Sequence, residues 1–190
     1  MTKNIMIVGV GGQGTLLTSR IIGKTAMNMG YDVKISEVHG MAQRGGSVVT
    51  FVRFGDKIYE PVVEEGEADI IIAFERLEAK RYAHFLKKGG ALIVNDCRID
   101  PMTVTIGAKE YPTDILESLK KEHTVYSIDA GKIALELGNS KVLNNAVLGY
   151  SARLIGFELA DWLSTVESTV PPKTVDINKK AFIAGYGSHT

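Results

Sequence analysis

Asn4-Ile5-Met6-Ile7-Val8 runs directly into Gly9-Val10-Gly11-Gly12-Gln13-Gly14, and from Thr15 to Asn28 apolar side chains return at helical spacing (Leu16, Leu17, Ile21, Ile22, Ala26). An apolar run, a glycine turn and an amphipathic stretch predict strand, tight loop and helix. Gly9, Gly11 and Gly14 fit G-x-G-x-x-G, in which missing side chains allow a sharp turn, close backbone approach to a ligand and close helix packing. The amides at the start of such a helix, with the positive end of its dipole, suit an anion. Tight packing alone would also account for the glycines.

The 190 residues predict one domain, 1–190. Lys and Arg number 22 and Asp and Glu 22, so no global charge draws the chain to nucleic acid or to a membrane surface. Cys97 is the only cysteine. It excludes an intrachain disulfide, a four-thiolate iron–sulfur cluster or a Cys-rich zinc site held by this chain, so a redox metal would belong to another chain. The start resembles no signal peptide and no apolar run approaches the ~20 residues of a membrane span, which predicts a cytoplasmic protein.

Asp32 to Glu37 reads as a second strand, parallel to the first across the helical crossover and adjacent to it. Glu37 falls near the place of the acidic residue that grips ribose hydroxyls in dinucleotide-binding units. A second glycine-rich loop follows, Val38-His39-Gly40-Met41-Ala42-Gln43-Arg44-Gly45-Gly46-Ser47, where a simple nicotinamide-dinucleotide domain would begin its next helix. Ser47 to Phe54 alternates as a strand, and Ile58-Tyr59 is expected to return as a short antiparallel one. Ala68 to Phe74 is the unbroken apolar run of a central strand. A helix is expected over 75–87 with Gly89-Gly90 as its stop, then a strand over 91–95. Residues 96–112 read as an irregular excursion with an edge strand near Thr103 to Ile106. A helix over 113–122, capped by Thr113 or Asp114, a strand over 123–128 and a short helix capped by Asp129 follow. One long helix is expected from Val142 to Trp162, with small residues at Gly149, Ala152 and Gly156 for close packing, and a last one over 176–185 after Pro171-Pro172. The pattern predicts an α/β fold: a single Rossmann-like domain with a mainly parallel sheet flanked by helices and added hairpin or edge strands.

Two glycine loops after parallel strands should meet at the carboxyl edge where doubly wound sheets bind ligands. The candidate cofactor-binding or partner-docking residues are therefore Gly9, Gly11, Gly12, Gln13, Gly14 and Thr15 from the first loop, with Glu37, His39, Gln43, Arg44, Gly45, Gly46 and Ser47 from the second. His39, Gln43 and Arg44 could meet a phosphate or carboxylate; equally, the glycines could serve only to bend the loop and Arg44 be a solvated cation. His84 and His123 lack a partner at metal-ligand spacing, and Cys97 beside Asp96 is poorly placed to be a thiolate. No nucleophile elbow or acid/base pair is visible, so no catalytic residue and no metal ligand is assigned.

The pairing of Gly9-Val-Gly-Gly-Gln-Gly14 with Glu37-Val-His-Gly-Met-Ala-Gln-Arg-Gly-Gly-Ser47 resembles the gamma domain of 2-oxoacid:ferredoxin oxidoreductases, above all the small subunits of the indolepyruvate type. The resemblance continues through Ala68-Asp69, Phe74 to Ala79, Gly89-Gly90 to Asn95, Asn144 to Gly149 and Ala184-Gly185-Tyr186; Arg76 stands where relatives often have proline. It implies an accessory subunit, inactive alone, of a complex that decarboxylates aryl 2-oxoacids oxidatively, with coenzyme A as cosubstrate and ferredoxin as electron acceptor. It further implies that thiamine diphosphate, Mg and iron–sulfur clusters lie on a companion subunit, with none bound tightly here; in isolation, association with copies of itself is allowed. Two other readings remain open. One is a free-standing NAD-dependent oxidoreductase with Glu37 on the ribose, and the other a purely structural interaction module.

Overall fold

The computed structural model describes residues 2–39 and 46–188. Six strands form one sheet: β1 (Lys3–Val10), β2 (Asp32–His39), β3 (Ser47–Gly55), β4 (Ala68–Ala73), β5 (Leu86–Asn95) and β6 (Thr124–Ile128), in the order β2-β3-β1-β4-β5-β6. β1, β4, β5 and β6 pair in parallel, and β3 runs antiparallel to both β1 and β2. The mainly parallel α/β sheet expected from the sequence is present, but the adjacency of β1 and β2 is not. β3 pairs along the whole of β1, from Lys3 opposite Phe54 to Val10 opposite Ser47, and so occupies the place reserved for β2. A long hairpin of two alternating, β-branched strands satisfies its ladder locally and then docks as a unit.

β1 shows why the sheet is central. Its period of two sends Ile5 and Ile7 into one core and Met6 and Val8 into the other, all fully buried. The first core is closed by α1 (Thr15–Asn28), α5 (Ala130–Glu136), α6 (Leu143–Ile155), α7 (Leu159–Glu167) and α8 (Val175–Gly187), and the second by α2 (Arg76–Tyr82) and α4 (Ile115–Glu122). Asp129 caps α5 as expected, accepting from the Lys132 amide at 2.9 Å. Asp114 precedes α4 but makes no side-chain cap bond.

The expected helix over 142–162 is two. Gly156 (φ 105°) and Phe157 (φ 69°) end α6, and the Trp162 indole donates to the Gly156 carbonyl at 2.9 Å. Phe157 is held in the left-handed region by rings on both sides, its centroid 5.6 Å from those of Phe54 and Trp162. Gly149 does pack as predicted: a Cβ there would lie 2.0 Å from the Phe182 carbonyl oxygen on α8, and one at Gly185 would lie 2.0 Å from that of Ala146.

Three further expectations fail. Leu86 to Gly90 belongs to β5, preceded by a 3-10 turn at Ala83–Phe85. The glycines there serve a bulge, since pairing jumps from Ala68–Leu86 to Ile70–Ala91, Gly89 takes φ 80° and a Cβ on Gly90 would meet the Ala68 and Asp69 carbonyls at 3.0 Å. Ile58-Tyr59 is not a strand, because both edges of β3 are already paired; the Ile58 amide instead donates to Asp32 at 2.8 Å. Residues 96–112 carry a short helix, α3 (Met102–Thr105), and no edge strand. The segment is pinned by buried Glu75, the N-cap of α2, whose carboxylate accepts from the amides of Glu78 and Ile99 and from the Tyr111 hydroxyl.

Candidate functional site

β1, β2 and β4 point the same way, so the turn after β1, the end of β2 and the start of β3 lie at one edge of the sheet. They touch: the Gly11 amide donates to the Gly46 carbonyl at 2.9 Å. Within the turn the glycines divide the work. Gly9 gives close packing, with a Cβ there only 3.0 Å from Phe74 and from the Gln13 side chain. Gly12 (φ 100°) and Gly14 (φ 85°) carry the left-handed conformations, and Gly12 has nothing within 4 Å of where a Cβ would stand. Gln13 is a brace, its Oε1 accepting from Val10 at 2.7 Å and its Nε2 donating to the Phe74 carbonyl at 3.0 Å. Its amide is therefore already used on the fold.

A cavity of about 420 Å³ lies beside the turn, lined by Gly11, Gly12, Gly14, Thr15, Glu37 and apolar Leu16 and Val48. Thr15 is buried, and Oε2 of Glu37 is buried without a hydrogen-bond partner among the described residues. Glu37 does reach the glycine turn, although β3 separates its strand from β1 by two inter-strand spacings, about 10 Å. A neighbouring β2 is what a dinucleotide unit uses. Ser47 leaves this group: its hydroxyl donates to Glu78 at 2.5 Å and lies 3.1 Å from the Tyr82 hydroxyl, in a separate cavity of about 240 Å³ with Glu75 and Arg81. His39 ends β2; Gln43, Arg44 and Gly45 lie outside the described residues.

The opposite flank of the turn holds what the sequence reading missed. A second cavity, about 350 Å³, is bounded by Gly12, Gly14, Leu17, Ser140, Lys141 and Asn144. Asn144 packs on Gly14, whose Cβ would meet it at 3.0 Å. Nothing local in the sequence ties the start of α6 to a loop some 130 residues earlier; only the resemblance over Asn144 to Gly149 touched it.

Elsewhere, burial and then the Glu75 carboxylate push the Cys97 thiol up, which makes it a poor nucleophile. The Asp96 carboxylate beside Arg76 raises that guanidinium further and ties the start of α2 to the end of β5. Among the described residues no three His, Cys, Asp or Glu side chains are grouped to hold a metal ion, and no helix is long and apolar enough to cross a membrane.

A mainly parallel α/β sheet with one inserted antiparallel strand and a glycine turn at its carboxyl edge defines the structural class. Residues 4–188 match the model of the pyruvate ferredoxin/flavodoxin oxidoreductase family, and the chain belongs to that family. It is 42% identical to the indolepyruvate oxidoreductase subunit IorB of Thermococcus kodakarensis, over 96% of this chain and 93% of that one. The pyruvate/ketoisovalerate oxidoreductases common subunit gamma of the same organism is 31% identical, over 78% and 75%. The crystal structure of pyruvate oxidoreductase subunit PORC from Thermotoga maritima superposes with a TM-score of 0.74 over 97% of this chain and 95% of that one, at 23% identity, and so shares the fold.

Proposed function

We propose that this chain is the small, non-catalytic subunit of a cytoplasmic indolepyruvate-type 2-oxoacid:ferredoxin oxidoreductase. The observation that carries the reading is the pair of similarities within one organism: the IorB subunit matches almost end to end at 42%, the pyruvate-type subunit at 31% over three quarters of its length. In this reading thiamine diphosphate, magnesium and the iron–sulfur clusters belong to the companion chain. Coenzyme A and ferredoxin are handled by the assembled complex. The glycine edge, where Gly11 meets Gly46, is the face that completes the companion's coenzyme cleft. Open space above Gly12 suits close approach of another backbone or a ligand. The interposed β3 weighs against a free-standing NAD-dependent enzyme.

The test is co-expression with a thiamine-bearing companion chain. The complex should reduce ferredoxin with indolepyruvate and coenzyme A, faster than with pyruvate, while the small chain alone should do neither and carry no stoichiometric iron. Turnover or a cluster in the small chain alone, or no association with the companion, would overturn the assignment. Arg44→Ala should lower turnover or association while leaving the melting temperature of the subunit within a few degrees; Gly12→Val, which forces a β-branched residue to φ 100°, should lower turnover or association more severely and the melting temperature as well.

A further inference from the structure

The sheet edge opposite the glycine turn carries charges of both signs that stay apart. β1, β4, β5 and β6 all begin there, and β3 ends there. Residues 56–67 run along this edge from β3 to β4, with Glu64 and Glu67 exposed just ahead of Ala68. Further along, the last turn of α4 hands the chain to β6 beside the bulged start of β5. A cavity of about 480 Å³ lies between them, lined by Lys87, Lys88, Lys120, Lys121 and His123, with Glu122 the one acid among its described lining residues. Lys87 is paired with Asp69. Lys88, Lys120 and Lys121 are exposed and, like Glu64 and Glu67, make no ion pair among the described residues. The starts of β4 and β6 stand two inter-strand spacings apart, about 10 Å. The free glutamates and the free lysines therefore form two separate fields on one edge, about one Debye length from each other at ~0.1 M salt.

That pattern selects its occupant. An acidic partner broad enough to cover the basic cavity would also meet Glu64 and Glu67, and a basic partner would meet the lysines. The surface that fits presents both signs in the reverse order. A second copy turned about a twofold axis does so by symmetry, with the glutamates of each chain over the lysines of the other. With a net charge of zero, two copies meet no general repulsion. Exposed ion pairs alone are too weak to hold two chains together against the entropy of association. The same connection adds apolar area, since Tyr59 is 83% exposed and Val62 46%, and tyrosine is among the side chains that interfaces use as anchors.

From this arrangement we infer that the edge is a self-complementary docking face on which two copies of this chain form a twofold-symmetric dimer, Glu64 and Glu67 of each against Lys88, Lys120 and Lys121 of the other. The face lies opposite the glycine turn, so the dimer leaves that turn free for a companion chain. The inference does not rest on the subunit assignment, and either can fail alone.

The test is sedimentation velocity on the full chain. A reversible dimer is expected at high micromolar concentration in about 0.05 M salt, weakening about tenfold or more at about 1 M, where the Debye length falls to ~3 Å. Lys120→Glu with Lys121→Glu, or Glu64→Lys with Glu67→Lys, gives the face a single sign and should weaken the dimer about a hundredfold or more. The chain with all four reversals has both signs again in exchanged places, and should dimerise once more. Lys132→Glu with Lys141→Glu makes the same change of net charge on exposed cations at the glycine-turn edge, and should weaken the dimer far less. The reversed side chains are all exposed; thermal melts check folding, and if the pair on α4 lowers the midpoint, the Glu64 and Glu67 pair, outside helix and strand, decides. A natural chain that is monomeric at low salt, a dimer indifferent to salt or to the single-sign variants, or a folded four-reversal chain that stays monomeric would overturn the proposal. So would an equal loss in the Lys132 and Lys141 variant.

Discussion

Tyr111 illustrates how one side chain can fasten a whole segment. It is buried and donates to Glu75, the residue that also caps α2 and holds the Ile99 amide, while the Arg98 guanidinium lies 4.4 Å from its ring centroid. Burial and then the Glu75 hydrogen bond push its phenol well above the ordinary value of 10.0. The folded state therefore holds this proton more tightly than the unfolded chain. Stability from it is intact below about pH 10 and is lost as pH rises beyond that value towards the folded pKa. Tyr111→Phe should cost about 1–3 kcal/mol at neutral pH by leaving a buried carboxylate short of a donor, and should flatten the alkaline limb of stability above pH ~10. Urea melts of both proteins at pH 7 and pH 10.5 would show it; an unchanged alkaline limb would detach Tyr111 from the pH dependence. At this scale the sequence showed the glycine turn, and Glu37 lines a cavity beside it although the strand adjacency that suggested this is absent. It could not show that Gln13 is a brace, that Ser47 turns to Glu78, or that Asn144 faces the turn, because those depend on which elements become neighbours.

Among the elements, the contact of α6 with α8 is the tightest in backbone terms, glycine against carbonyl in both directions. Gly149→Ala puts a methyl 2.0 Å from the Phe182 oxygen, and the helices can only part. The expected cost is at the upper end of overpacking, about 3 kcal/mol or more, read as a drop in thermal midpoint; a drop of less than a degree would mean that the two helices already slide. Gly149 was legible because small residues at helical spacing have few other uses. The break at Gly156 was not, since Leu154, Ile155, Leu159 and Leu163 continue an apolar pattern through it and the cause is tertiary, a ring of aromatics around Phe157. The bulge in β5 was missed for a related reason. Lys87-Lys88-Gly89-Gly90 carries the same local signals whether it ends a helix or kinks a strand.

At the scale of the whole molecule, local periodicity established strands, helices and their parallel majority, while strand order rested on the rule that a crossover returns beside its start. The β2–β3 hairpin met that rule in another way by inserting its second strand. That placement bears on how the chain acquires its structure in time. β1 is among the most apolar strands, yet its two neighbours are β3, ending at Gly55, and β4, ending at Ala73. During synthesis it leaves the ribosome with neither edge covered, and some sixty further residues must follow before both partners exist. At ~5–20 residues per second that is an interval of several seconds in which a bare, β-prone segment can find a second nascent copy. Dilution from denaturant, where all partners are present at once, should accordingly give a recovery less sensitive to concentration than cell-free translation without chaperones. Equal sensitivity of the two routes would mean that α1, folding back early, shields β1 on its own.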